Sequence, residues 1–211
     1  MLFRSTFSFL LNVNRPPSIN AIPITRQQGS PTSLSAIAVV SDPEDAANTL
    51  NVKVNGGSTA TVNDVTISGL SVDSTGTVRA NVVAACGAAN TNFTLLVTDS
   101  GGLSSSVNLP ISVTPNTPPM LGVYPATTIH TASTTSATVT PFGNIAPSDN
   151  GTISSLTATA PGFTGSLSVH PVMGIVSISN AGPPGTYTVT VKATDSCGAI
   201  TTRQFSLTVT L

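Results

Sequence analysis

The feature that most constrains this chain is an internal repeat. Asn14-Arg15-Pro16-Pro17 returns as Asn116-Thr117-Pro118-Pro119. Leu70-Ser71-Val72 returns as Leu167-Ser168-Val169, Gly76-Thr77-Val78 as Gly174-Ile175-Val176, and Thr98-Asp99-Ser100 as Thr194-Asp195-Ser196. The four anchors keep their order, at offsets between 96 and 102. A unit of about 100 residues that closes on its own hydrophobic core is the size of a β-sandwich domain. The repeat divides the chain into residues 1–13, 14–115 and 116–211.

Period-two alternation places strands inside each repeat. Phe93, Leu95 and Val97 share one face, as do Val107, Leu109, Ile111 and Val113. In the second repeat the corresponding sets are Tyr187, Val189 and Val191, then Phe205, Leu207, Val209 and Leu211. Asp99-Ser100-Gly101-Gly102 and Asp195-Ser196-Cys197-Gly198 read as hairpin turns between the last two strands. No segment carries a helical period. Each Pro-Pro pair disfavours helix in the residue before it and stiffens the connection. Phe9 to Val13 precedes the first Asn-x-Pro-Pro as Leu109 to Val113 precedes the second. Residues 1–13 thus read either as the last strand of a preceding repeat or as a frayed terminus with a weak signal-like character.

Charged residues make up only 7% of the 211 residues, and the mean hydropathy is +0.30. Thr, Ser, Asn and Gly replace the missing charge and keep the solvent face of a strand wet. No run of 18 apolar residues is present, so no membrane span is expected in this segment. Seven scattered Lys and Arg residues and a net charge of −1 offer no basic stripe, which argues against nucleic acid.

Gly185 to Ser196, preceded by Leu167 to Ile178, resembles bacterial putative-Ig repeats. Ser41-Asp42-Pro43-Glu44-Asp45, together with Val97 to Gly102, resembles bacterial cadherin-like repeats. The resemblance covers nearly the whole chain. It implies an all-β fold of two tandem Ig-like antiparallel β-sandwiches joined by a short Pro-Pro linker. It further implies a spacer, stalk or adhesive module of a secreted or cell-surface protein, with neighbouring repeats of the same chain, a surface protein or a glycan as partners.

Enzyme chemistry has little to stand on. No phosphate loop, HExxH or Gly-x-Ser-x-Gly elbow occurs. His130 and His170 are isolated in sequence, and His170 occupies the turn position that Asp73 holds in the first repeat. Glu44 is the only glutamate. A paired-carboxylate hydrolase would therefore need two aspartates, and those present fit turns. The chain is read as a non-enzyme. Sugar binding would need an aromatic platform. With no Trp, the choice falls to Tyr187, on an apolar face, and Tyr124, next to Pro125 and expected to be exposed.

Calcium is the one cofactor the sequence leaves open; otherwise none is expected. A calcium ion takes six to eight oxygen ligands. Asp42, Glu44, Asp45 and Asp99 follow two strands whose ends would share the N-terminal end of an Ig-type sandwich, where cadherins place the downstream half of a calcium site. The preceding residues Asn12 to Arg15 add no carboxylate, and turn-forming carboxylates are the alternative. The two cysteines have no metal spacing. Cys86 lies between the fifth and sixth strands of repeat one, at its C-terminal end. Cys197 lies in the last hairpin turn of repeat two, at its N-terminal end. Strand order thus points both at one junction, where a disulfide would need Cα atoms about 4.4–6.8 Å apart. Two free thiols are the alternative.

Overall fold

A computed structural model describes residues 13–131 and 137–211. The reading of a strand over residues 9–13 falls almost wholly outside them. The fold is all-β. Two compact units separate. The first holds the described residues up to Thr25, with Ser33–Val82 and Asn90–Ser112; the second holds Arg26–Thr32, Val83–Ala89 and Val113–Leu211. Two short segments from the first repeat therefore belong to the second compact unit.

The first repeat builds nine strands: β1 (Ser18–Ala21), β2 (Ile24–Gln27), β3 (Ser33–Ser41), β4 (Asn51–Val54), β5 (Ala60–Val62), β6 (Val65–Val72), β7 (Thr77–Ala84), β8 (Thr91–Thr98) and β9 (Ser104–Thr114). They form one sheet of order β1-β3-β7-β6-β5 and another of order β2-β9-β8-β4. The alternating residues face inward: Phe93, Leu95 and Val97 on β8, Leu109 and Ile111 on β9, and Val78, Ala80 and Val82 on β7 are all buried. A register shift in β3, between Ala36 and Ala38, lets neighbouring Ile37 and Ala38 both bury.

Among the described residues, the second repeat holds fewer strands. It has β10 (Thr127–His130), β11 (Ala137–Val139), β12 (Ile153–Thr159), β13 (Ser166–Val169), β14 (Val176–Ser179), β15 (Gly185–Asp195) and β16 (Ile200–Thr210). The sheets run β10-β16-β15-β12 and β11-β14-β13. Strands β15 and β16 pair antiparallel over ten positions, from Gly185↔Val209 to Thr194↔Ile200. Strand β10 lies parallel to β16. The core gathers Val176, Ile178, Val189, Val191, Phe205, Leu207 and Val209, with Leu121 and Tyr124 from the segment that leads into β10.

That segment corrects one expectation. Tyr124 is not exposed. Its ring stacks on Phe205 with centroids 5.6 Å apart, and its hydroxyl donates to the Gly174 carbonyl at 2.7 Å. Leu121 and Tyr124 are buried in the core of the second unit, and the hydroxyl finds a backbone acceptor there. Burial pushes the Tyr124 phenol above its ordinary pKa. Tyr187 is half-buried, edge-on to Phe163 at 5.3 Å, and its hydroxyl donates to the Pro183 carbonyl at 2.6 Å.

Candidate functional site

The residues singled out by the sequence gather at turns, and turn chemistry explains their positions. Asp is short enough to reach backbone N–H groups a few residues on. In the last hairpin of the first unit, Asp99 Oδ1 accepts from Leu103 N at 2.8 Å. In the second, Asp195 Oδ1 accepts from Cys197 N and Ala199 N, each at 2.8 Å. Both turns close on a glycine with positive φ, Gly102 at 87° and Gly198 at 85°.

The free carboxylate oxygen of each turn takes a second, longer-range partner. Asn14 Nδ2 donates to Asp99 Oδ2 at 3.0 Å, and Asn116 Nδ2 donates to Asp195 Oδ2 at 2.7 Å. Asn14 and Asn116 are the first residues of the two Asn-x-Pro-Pro motifs. The second proline of each motif, Pro17 or Pro119, is buried. The chain entering each unit is thus pinned to that unit's last hairpin by one amide and one carboxylate. Sequence reasoning finds both motifs and misses that they touch. The signal is present, since both Asn and Asp recur with the repeat. Burial works against the charge of Asp195, but the Asn116 amide and the N–H groups of Ala199, Cys197 and Gly198 outweigh it. Together they hold the carboxyl below the usual range.

Asp42 Oδ1 accepts from Glu44 N at 2.8 Å and from Asp45 N at 2.7 Å, while its Oδ2 is buried without a hydrogen-bond partner. Asp45 reaches the last hairpin, where Oδ2 accepts from Ser100 N at 2.7 Å and Oδ1 from Ser100 Oγ at 3.0 Å. Those two bonds hold Asp45 below the usual carboxylate range. Asp99 is turned toward Asn14 and Leu103. Glu44 is exposed. Among the described residues, no group of three or more His, Cys, Asp or Glu side chains comes together as a metal site.

The cysteines meet within the second unit. Cys86, on the loop after β7, is bonded to Cys197 in the β15–β16 turn, with S–S 2.07 Å and Cα–Cα 5.3 Å. Gly29 seals one side of the bond. Its φ is 71°, and a Cβ there would overlap Cys197 Sγ, so only glycine fits. Its N–H donates to the Ala84 carbonyl at 3.0 Å. Gln28, beside it, donates through Nε2 to the Ala88 carbonyl at 2.8 Å and accepts through Oε1 from Asn116 N at 3.1 Å. The disulfide, Gln28 and the Asn116–Asp195 pair form one polar cluster.

The two histidines also serve the backbone. His170 Nδ1 accepts from Val172 N at 3.3 Å and Met173 N at 3.2 Å. In the matching turn of the first unit, Asp73 Oδ1 accepts from Thr75 N at 2.9 Å and Thr77 N at 3.0 Å. His130 Nδ1 lies 3.1 Å from the Leu211 carbonyl oxygen and 2.8 Å from Thr210 Oγ1.

No family model matches the chain, and no curated protein matches it. Among solved structures, the chain is similar to a chimeric titin Z1Z2 carrying an exogenous peptide from decorin. The identity is 16%, over 95% of this chain and 100% of that one, with a TM-score of 0.47. It is similar to titin domains Z1Z2 in complex with telethonin at 17% identity, over 94% and 98%, with a TM-score of 0.43. It is also similar to Drosophila N-cadherin EC1-3 at 19% identity, over 93% and 68%, with a TM-score of 0.36.

Proposed function

We propose that the chain is a structural spacer: two Ig-like sandwiches of a secreted or surface-attached, bacterial-type repeat protein. The observation that carries this reading is the repeated clamp. Asn14–Asp99 and Asn116–Asp195 tie the incoming chain of each unit to the last hairpin of the same unit. Such a device gives each repeat a fixed starting direction, which a length-setting array needs and a lone globular domain does not. The Cys86–Cys197 bond supports an oxidising compartment.

The competing reading is a ligand-binding module, with calcium or a glycan as ligand. Thermal melting of the oxidised chain in chelator and in millimolar calcium separates the two. A spacer without a bound ion melts at the same midpoint in both. A midpoint that climbs with calcium, as ligand linkage to the native state requires, would overturn the spacer reading in favour of calcium-dependent adhesion. Specific retention of the chain on a glycan array would overturn it in favour of sugar binding.

A further inference from the structure

The loop before β12 carries the sequence Asp149-Asn150-Gly151. We propose that Asn150 is a self-modifying site, converting to aspartate and isoaspartate through a cyclic imide, with the Asp149 carboxylate moving the protons. Three observations carry this. Gly151 N donates to Asp149 Oδ2 at 3.0 Å. The orientation of the Asn150 amide that satisfies its surroundings puts Nδ2 at 3.0 Å from Asp149 Oδ1 and 2.9 Å from Thr117 Oγ1, with Oδ1 accepting from Gln27 Nε2 at 3.2 Å. One carboxylate therefore faces both the nitrogen that must lose a proton and the nitrogen that must leave with one. Gly151 supplies the third. A Cβ there would lie 2.6 Å from the Gly29 carbonyl oxygen, so the position is held as glycine, with no side chain to shield its nitrogen.

The step balances. Gly151 N gives its proton to Asp149 Oδ2 and attacks Asn150 Cγ, forming an N–C bond. Asp149 returns a proton to the Asn150 amide nitrogen, the C–N bond breaks, and ammonia leaves. Water then opens the cyclic imide at either carbonyl, giving aspartate or isoaspartate. Asp149 is a catalytic residue in this sense, since it touches both reacting nitrogens. The product exchanges an amide donor for a second carboxylate beside Asp149 and removes the donor that faces Thr117 Oγ1.

The chain holds its own control. Asn55-Gly56 is also an Asn-Gly pair, but its asparagine is held by backbone. Asn55 Oδ1 accepts from Thr94 N, and Asn55 N donates to the Thr94 carbonyl, each at 2.8 Å. The oxidised, folded chain is held at neutral pH, sampled over weeks, digested and peptide-mapped by mass. Asn150 should convert roughly tenfold faster than Asn55 or more. That is below the ~10²–10⁴-fold of a positioned acid–base, because water reaches this half-buried turn. Asp149→Ser, which keeps an acceptor for Gly151 N–H but no base, should bring the rate down to that of Asn55. Denaturing and reducing the wild-type chain, which needs no variant to fold, should erase the difference as well. Equal rates at Asn55 and Asn150 in the folded chain would overturn the proposal. So would a rate unaffected by Asp149→Ser, or a product in which Thr117 Oγ1 has captured Asn150 Cγ as an ester cross-link.

Discussion

The two units solve one packing problem with unequal material. In the first, β3 is nine residues long, and β1 covers its edge from Ser18↔Ser41 to Ala21↔Ala38. In the second, the described residues of the counterpart β11 are Ala137–Val139, followed by a short 3-10 turn at Phe142–Asn144. Among the described residues, the segment in the place of β1 forms an isolated bridge, Met120↔Ser148, and a bond from Phe142 N to the Val123 carbonyl at 2.8 Å. Met120, Val123, Phe142, Ile145, Val172 and Met173 stay exposed in these loops, and a pocket of about 300 Å³ opens among Thr140, Asn144, Ala146, Val172, Met173 and Ile175. Yet both units keep the same closing hairpin, the same Asn–Asp clamp and the same buried second proline. The last hairpin and the entry clamp are thus common to both units, while the outer strands differ among the described residues. The second unit, whose described sheets hold fewer strands, is also the one that carries the disulfide.

That contrast can be broken first at the cores. Phe93 on β8 is fully buried, and its counterpart on β15 is Val189, equally buried. Phe93→Ala should cost about 3–5 kcal/mol in the first unit. Val189→Ala should cost about 2 kcal/mol in the second, because two methyl groups leave rather than a ring. Hydrogen exchange of the β8 and β15 amides reads each unit separately. Equal losses would mean that the second core leans on Val189 more than its burial implies.

Removing the disulfide comes next. The bond closes a loop of sequence separation 111. Replacing both cysteines by serine should cost about 2–5 kcal/mol, seen as faster exchange along β15 and β16 with β8 unchanged. Loss of protection in β8 instead would mean that the bond serves the first unit.

The clamps should differ by less. A hydrogen bond to a charged group contributes about 1.5–3 kcal/mol, more where the charge would be left buried. Asp195 is 2% exposed and Asp99 7%. Asn116→Ala should therefore fall at the upper part of that range and Asn14→Ala at the lower, by chemical denaturation. A larger effect at Asn14 would reverse the ranking.

The smallest effect is acid sensitivity. Hydrogen bonds hold the folded Asp195 carboxyl below its unfolded value, near 3.9. The stability it lends is complete above the unfolded value and declines as pH falls through the folded one. Carboxyl-carbon NMR titration should place Asp195 below the free-aspartate value; titration at or above that value would remove this contribution.

Much of the architecture is legible in the residues alone. Alternation along Phe93-Leu95-Val97 and Phe205-Leu207-Val209 marks strands because one face of each is buried, and Asp-Ser-x-Gly marks the hairpin because backbone N–H groups need a nearby acceptor. Tyr124 misleads because local sequence shows Pro125 beside it but not Phe205, the ring it stacks on, 81 positions away. The clamp escapes for a similar reason: Asn14 and Asp99 are 85 residues apart, and no local pattern says they meet. Gly29 is not legible either, since its need for an empty side chain comes from a sulfur 168 positions away.

The chain closes as two compact units, the second of which takes in two segments of the first repeat and is locked by the Cys86–Cys197 bond. The most direct measurement is to pull one molecule from its two ends, with and without reductant. Oxidised chain should unfold in discrete steps. The residues between Cys86 and Cys197, a separation of 111, stay out of reach of the force while the bond is intact. Reduction should add about 350–400 Å to the full extension, at ~3.3–3.6 Å per residue. An extension that is the same with and without reductant, or a trace that lengthens smoothly with no unfolding steps, would contradict the account.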